Sequence, residues 1–510
     1  MQKRAAFQTA GGQVILLSAF TLLVKAVGFV KQAIIAAYFG AGGTTDVFFV
    51  ASDFFADLSA IFFTPLAIVF LTAYDLQAAH QGRRRADAFA VKSVVIFSLI
   101  SAVVAALFAC SAGLAAQLLG FGFSPALQQE LTKLLRLLSP VIVFYCAAAL
   151  LTAQLQAQKH FLPAQGRGLV RSVAIIAAIW LLSSQLGAGA LVVGMLVALL
   201  LETAYLCWAA RKSLIPALTD RPSADIGESS KGMIIAALPL ILSYAAAEFS
   251  HIVDKAIASR LQEGAVSALS YAQVLQGFAA ALLVSNVGAV TFSHFSEKSA
   301  HSDTAGLLQS LSRAAELLIL LLLPVSIIAA VASPHLVRLV YARGSFDAQA
   351  LSLTAQAFSG YATGLVGLSL QTVFLRGLYA VGNTQLPLKI GLWSIALNVS
   401  LSWILSGVFG VGGIALASAA SYFLGAVLSS AVLQGRQVLP NFKAVVAAAL
   451  VCVGCVVVVS RLQMSSAFLA CAVLGLCGTV SYGMTLLLLH EPNAAWLVQL
   501  VLKHKDRKRR

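Results

Sequence analysis

The sequence predicts an all-α polytopic membrane protein with about 14 transmembrane helices, built as two pseudo-symmetric six-helix lobes plus two C-terminal helices. Three observations predict it. Of the 510 residues, 60% are hydrophobic and only 10% charged, against about 45–50% and about 25% in soluble domains. The apolar residues gather into runs of about 20, the length that crosses a ~30 Å bilayer core. The basic residues collect between alternate runs, as the positive-inside rule requires. Together these exclude a soluble enzyme, a disordered chain and a fibrous protein. A membrane β-barrel would show ~10-residue alternating segments instead, and none is present.

In chain order the runs centre near Ser18, Phe62, Val103, Phe144, Ala174, Val197, Ser243, Leu282, Leu321, Gly364, Ile395, Ser421, Leu450 and Leu476. The first is too long for a signal peptide and lacks an A-x-A site, so it is expected to stay as the first span. With a cytoplasmic N-terminus, the inside loops collect Lys3, Arg4, Arg83, Arg84, Arg85, Lys159, Arg167, Arg211, Lys212, Arg221, Lys231, Lys298, Arg313, Lys389, Arg436 and Lys443. The outside loops hold Lys133, Arg136, Arg260, Arg338, Arg343 and Arg461. An even span count then places both termini in the cytoplasm. The basic tail from Lys503 to Arg510 orients the last span and touches anionic lipid, the better reading than nucleic acid. The expected division is 1–212 for an N-terminal lobe with spans one to six, and 213–231 for a cytoplasmic linker. A C-terminal lobe with spans seven to twelve takes 232–437, two groove helices take 438–490, and a basic cytoplasmic tail takes 491–510.

All seven cysteines, Cys110, Cys146, Cys207, Cys452, Cys455, Cys471 and Cys477, fall inside apolar runs. Cys452 and Cys455 form C-x-x-C, a weak redox or metal signal, and packing is the better reading on a lipid-buried helix. No P-loop, H-E-x-x-H or G-x-S-x-G motif exists. The longest hydrophilic stretch, Arg211 to Lys231, is too short to be a domain. Transport is therefore expected over an enzyme or a scaffold.

Transporters are commonly built from internal repeats. An offset of 223 residues aligns Val30-Lys31-Gln32-Ala33-Ile34 with Val253-Asp254-Lys255-Ala256-Ile257. Each stretch ends span one or span seven, and each is followed by a glycine-containing loop. The offset equals six spans, so the two lobes form a parallel repeat. Ionisable groups inside spans cost several kcal/mol each and mark function by default. Lys25 and Lys31 lie in span one. Glu248, His251, Asp254 and Lys255 lie in span seven, where Glu248, His251 and Lys255 share a helix face. The offset matches Lys25 with Glu248 and Lys31 with Asp254, so these are expected to pair across a cavity. Lys25, Lys31, Asp46, Glu248 and Lys255 are candidate substrate-binding residues. Asp53 and Asp57, one turn apart in span two, and His251 are candidates for a gate or for coupling. Snorkelling of Lys31 and Lys255 to the head groups is the alternative. Glu202 and Glu316 are expected near span ends as structural residues.

Further landmarks follow in order. Tyr341-Ala342-Arg343-Gly344-Ser345-Phe346-Asp347 is followed by Tyr361, Gly364-Leu365, Tyr379-Ala380, Asn383-Thr384 and Pro387, then Asn398 and Gly413-Ile414-Ala415-Leu416-Ala417. Span seven adds Asp254, Ala258-Ser259, Leu261, Gly264, Ser267 and Tyr271-Ala272, and the start carries Lys25, Gly28, Lys31, Phe39-Gly40-Ala41-Gly42 and Asp46-Val47-Phe48. These stretches resemble the MurJ (MviN) lipid II flippase family of the MOP exporter superfamily. The resemblance covers most of the chain and is most specific from span seven onward. It implies two lobes around a central V-shaped cavity, two extra helices forming a hydrophobic groove, and transport of an undecaprenyl-diphosphate-linked saccharide between leaflets. The prenyl tail can stay in lipid, while the head group must cross shielded from hydrocarbon.

The chain departs from the family pattern at its cations. Arginines of span one are Lys25 and Lys31 here, which keep the charge and lose the bidentate fork. The span-two arginine and the Glu-Gly after it fall at Ser59 and Thr64-Pro65, and the Asp-Arg after Tyr-Ala in span eight is Gln273-Val274. The resemblance also implies a monovalent cation, sodium, as the one candidate cofactor, with Asp254, Asn398, Ser402 and Ser418 as oxygen ligands. Lipid II is the expected cargo; another lipid-linked glycan such as an exopolysaccharide or O-antigen unit is the alternative, and a cation-coupled exporter of small molecules a further one. The expected partners are the prenyl-linked glycolipid and membrane lipids, without nucleic acid.

Overall fold

A computed structural model describes residues 10–219, 226–281, 304–380, 385–433, 442–462, 464 and 466–490. The span expected near Leu282 reaches beyond them, as do Lys3, Arg4, Arg221, Lys298, Asn383, Thr384, Arg436 and the C-terminal tail. The described residues fold entirely as helices and their connections, without a strand. In order they are α1 (Ala10–Phe39), α2 (Gly43–Gln81), α3 (Arg83–Leu119), α4 (Pro125–Leu138), α5 (Val141–Ala157), α6 (Phe161–Leu186), α7 (Gly189–Thr219) and α8 (Ile226–Ala258). A ninth, α9, runs over 265–281. There follow α10 (Thr304–Val331), α11 (Ser333–Tyr341), α12 (Ala348–Thr363), α13 (Leu365–Ala380), α14 (Gln385–Val432), α15 (Phe442–Ser460) and α16 (Ala467–Leu488).

Among the described residues ten helices are long and apolar enough to cross a membrane, and twelve spans result when two bent pairs each count as one. The pairs are α4 with α5 and α12 with α13, each bent by 45°. Pro140, which lacks an amide hydrogen, sits at the first bend. Gly364 sits at the second, where an added Cβ would come within 2.8 Å of Ala419 Cα. The 48 residues of α14 would extend about 72 Å as one rod, more than twice a bilayer core. They form a helical hairpin instead. Gly410 breaks the helix at φ 57° and ψ −135°, in the left-handed range open to glycine. Past the break, Asn398 of the first arm meets Ser418 of the second at 3.2 Å.

The chain divides into two compact units, Met1–Ser267 with Gly344–Phe346, and Ala268–Arg343 with Asp347–Arg510. In the first, α3 shows how membrane helices sort their side chains. Leu99, Val103, Leu107, Leu114 and Leu118 are 60–74% exposed, a stripe suited to lipid. Its opposite face buries Ala86, Ala90, Ser93, Ser101, Ala105, Ala112 and Ala116. Lipid is as apolar as leucine, so close packing of small residues decides which face turns inward. Phe70 and Phe89 stack at 5.8 Å beneath this face. In the second unit the core joins Leu311, Leu318 and Leu322 of α10 with Phe374, Ile390, Cys452, Val456, Leu474 and Tyr482.

Two cysteines pack as expected. Cys452 Sγ donates to the Gly478 carbonyl at 3.4 Å and Cys455 Sγ to that of Cys477 at 3.9 Å, bridging α15 to α16. The inside-loop assignment of Arg167 is corrected. It lies six residues into α6, because the apolar run begins earlier than its centre near Ala174 suggested. Helices α7 and α8 also run into the 213–231 stretch, to Thr219 and from Ile226.

Candidate functional site

The first unit holds its charged residues on facing helices. Helix α2 packs against α5 and α8, and α6 packs against α1 and α7. Asp53 and Asp57 lie one turn apart on α2, and Lys255 comes from the last turn of α8. Lys255 Nζ donates to Asp53 Oδ2 at 2.7 Å, with the lysine side chain 6% exposed and the aspartate 29%. Asp57 lies in the fields of Lys255, Asp53 and Glu248, and its Oδ2 is buried without a hydrogen-bond partner. His251, half-buried, lies in the fields of Lys255 and Asp53. Span two and span seven thus share one acidic pocket around a single lysine.

The ion pairs the structure describes here join other residues than those the repeat aligns. Lys25 is exposed, and the described ion pairs of this interior are Lys255 with Asp53 and Glu202 with Arg167 and Arg171. The choice follows reach, since α8 lies directly on α2 and brings Lys255 to Asp53. Lys31 is half-buried and lies in the fields of Arg171 and Asp53.

Asp46, expected to contact substrate, is engaged within the protein. It is 1% exposed, and both carboxylate oxygens are occupied. Oδ2 accepts from Gly264 N at 2.7 Å, and Oδ1 accepts from Ser267 N at 2.7 Å and Ser267 Oγ at 2.6 Å. It caps the start of α9 from the start of α2, satisfying amides that a helix N-terminus leaves unpaired. Gly264, at φ 89°, comes too near the Ala41 carbonyl to carry a side chain. The 344–346 segment belongs to the same end. Ser345 N donates to Ala37 O at 2.7 Å, and Ser345 Oγ to Tyr38 O at 3.1 Å.

Sequence reasoning missed a second charged group. Glu202, expected near a span end, lies in the interior of α7, 1% exposed, between Arg167 Nη1 at 3.7 Å and Arg171 Nε at 3.5 Å. The signal was present: Gly166-Arg167-Gly168-Leu169-Val170-Arg171 places two arginines one helical turn apart in an apolar run. The flanking glycines let α6 sit close to its neighbours. A Cβ on Gly166 would approach the Tyr205 hydroxyl to 2.6 Å, and one on Gly168 would approach Val24 to 2.9 Å.

In the second unit, Asn398 Nδ2 donates to Ser418 Oγ at 3.2 Å. Asn398 Oδ1 is buried without a partner, and Ser402 is fully buried. This unit also holds a cavity of about 770 Å³ lined by Ser352, Gln356, Ser359 and Thr363 among apolar neighbours. Its polar donors are engaged within the protein, Gln356 to Ser352, Ser359 to Ala330 and Thr363 to Gly360. The ion pairs described among these residues lie in the first unit.

The family model described as lipid II flippase MurJ matches residues 35–482. The chain belongs to this family. Among its relatives, the lipid II flippase MurJ of Burkholderia cenocepacia is 28% identical over 437 residues, covering 82% of this chain and 81% of the relative. The probable lipid II flippase MurJ of Rickettsia prowazekii is 25% identical over 425 residues, covering 81% of this chain and 82% of the relative. A solved structure of lipid II flippase MurJ in an inward closed conformation superimposes with a TM-score of 0.80 at 20% identity, covering 96% of this chain and 100% of that one. An inward-facing multidrug-resistance MATE transporter of the MOP superfamily gives 0.66 at 14% identity, covering 84% and 99%. Both likenesses concern the fold. The all-α polytopic architecture and the membership predicted from sequence are borne out, and the protein is a multi-pass membrane protein.

Proposed function

We propose that this chain is a lipid II flippase, carrying the undecaprenyl-diphosphate-linked peptidoglycan precursor from the inner to the outer leaflet by alternating access. The observation that carries the reading is a charged network inside the bilayer-spanning helices of a MurJ-family chain. A diphosphate with about two negative charges is prohibitively costly to place in hydrocarbon unless cations and hydrogen-bond donors meet it. The prenyl tail needs no such passage. The reading is of a transporter, without a catalytic residue.

Lys31 and Lys255 offer charge along the route, with Lys25 and Glu248 flanking it. The Lys255–Asp53 pair acts as a latch, and an incoming anion competes with Asp53 for the lysine. Asp57 and His251 share its field and set how readily it opens. Both termini face the cytoplasm, as the charge bias implies. An inside-negative potential favours outward movement of a dianion by about 4–5 kcal/mol per 100 mV, enough to drive transport without ATP. A sodium ion is compatible with the donors present, since Asn398 offers an unpartnered buried carbonyl oxygen beside Ser418. Within the second unit Asn398, Ser402 and Ser418 would hold it, and a hard monovalent cation would there supply charge to oxygen ligands.

Replacement of the family's span-one arginines by Lys25 and Lys31 favours a second reading, transport of another prenyl-linked glycan. The deciding experiment depletes a cell of its own lipid II flippase and leaves this chain as replacement. Restored growth with lipid II in the outer leaflet, lost again in Lys31→Ala, supports the first reading. Failure to rescue by a well-expressed protein overturns it in favour of the second.

A further inference from the structure

The acidic pocket around Lys255 is close to electrically balanced or negative, so it is poorly suited to hold a dianion by itself. The group on α6 has the opposite character. Arg167, Arg171 and the nearby Lys31 carry three positive charges; Glu202 lies between the arginines, and Asp53, which also lies in the field of Lys31, is engaged by Lys255. The surplus of two matches the charge of a diphosphate.

The donors are also in surplus. Two guanidinium groups carry ten N–H bonds, yet both Glu202 oxygens lack a hydrogen-bonded partner and meet the arginines only at 3.5 and 3.7 Å. Tyr145 of α5 lies beside Arg171. The arginine side chains remain 36–37% exposed. Lys31 of α1, Tyr145 of α5 and Glu202 of α7 surround Arg171 from three helices, and an arginine facing hydrocarbon would be expensive. Arg171 lies ten residues into α6, about 15 Å along its axis and halfway through a bilayer core. A guanidinium is the side chain whose planar fork fits two phosphate oxygens at once.

We propose that Arg167 and Arg171 form the diphosphate-binding site of this flippase, with Lys31 adding charge and Glu202 acting as the positioning residue that holds both guanidinium groups. This inference rests on the lipid-diphosphate reading above. It also supplies a bidentate group in a chain whose span-one cations are lysines.

The test is binding of farnesyl diphosphate and farnesyl monophosphate to the purified full-length protein in nanodiscs, with thermal stability measured on the same samples. The wild type should prefer the diphosphate. Arg171→Met should weaken diphosphate binding by about tenfold or more, the loss of one charge-assisted hydrogen-bonded contact. Arg171→Lys keeps the charge opposite Glu202 and should fold even where Arg171→Met does not. It should narrow the preference for diphosphate over monophosphate, because a point charge lacks the fork. Glu202→Gln should reduce that same preference with its arginines intact. Unchanged preference in Arg171→Lys and Glu202→Gln overturns this inference and leaves the flippase reading standing. A wild type that binds neither phosphate better than farnesol overturns both.

Discussion

Asp46 gives the sharpest prediction, because the structure assigns it a holding role where the sequence suggested contact with substrate. Its carboxylate receives three hydrogen bonds of 2.6–2.7 Å from Gly264 and Ser267 in a fully buried setting. Asp46→Ala removes the acceptor and leaves three buried donors without partners. Each such donor costs about 1–3 kcal/mol, so the substitution should destabilise the fold by about 3–6 kcal/mol after local relaxation. Against a total of about 5–15 kcal/mol for a typical domain, that lowers the unfolding midpoint by at least about 5 °C. Asp46→Asn keeps one carbonyl acceptor and turns its amide toward a backbone N–H, so its loss should be smaller. The assays are thermal unfolding in nanodiscs and hydrogen exchange of the amides at 264–267. Farnesyl diphosphate affinity of the folded fraction should stay at the wild-type value. A wild-type midpoint in Asp46→Ala, or a stable protein that has lost that affinity, would refute the reasoning and return Asp46 to the transport route.

Three further outcomes are expected. Lys255→Met takes the cation from Asp53, Asp57 and Glu248 together and should destabilise more than Asp53→Asn, which leaves Lys255 facing Asp57; a double-mutant cycle in thermal unfolding measures the coupling of the pair. Gly344→Ala places a side chain at φ 59° against the Ala37 carbonyl, and should cost about 1–2 kcal/mol from backbone strain alone, read as faster hydrogen exchange at the Ser345 amide. Asn398→Ala should abolish any sodium-dependent rise of the wild-type midpoint, which mass action makes grow with ion concentration; persistence of the rise in the variant would remove Asn398 from the ion's ligands.

The hairpin of α14 shows how far local pattern reaches. Two apolar runs centred near Ile395 and Ser421 were legible as two spans, and the structure makes them two helical arms separated by the break at Gly410. The bilayer acts on each segment separately, so an average over about 20 residues decides whether a segment spans. The C-x-x-C of α15 was legible as packing for the same reason. The motif stretches around Tyr341–Asp347 and in span seven were enough to place the chain in its family.

Partner choice was not legible. Lys255 and Asp53 are 202 residues apart, and the repeat matched their neighbours with other residues. Arg167 was assigned to a loop by its charge and belongs to a helix interior, where Glu202 and the close approach allowed by Gly166 and Gly168 make its burial tolerable. Asp46 stood in the sequence as a candidate substrate contact, and the turn at 264–267 occupies its carboxylate. By itself the sequence determined that the chain is an all-α protein that crosses the membrane many times, and which family it joins. The tertiary structure alone decided which charges are neutralised and which keep unused donors, because pairing depends on the few ångströms between helices that packing sets, and no average along one chain segment contains that distance.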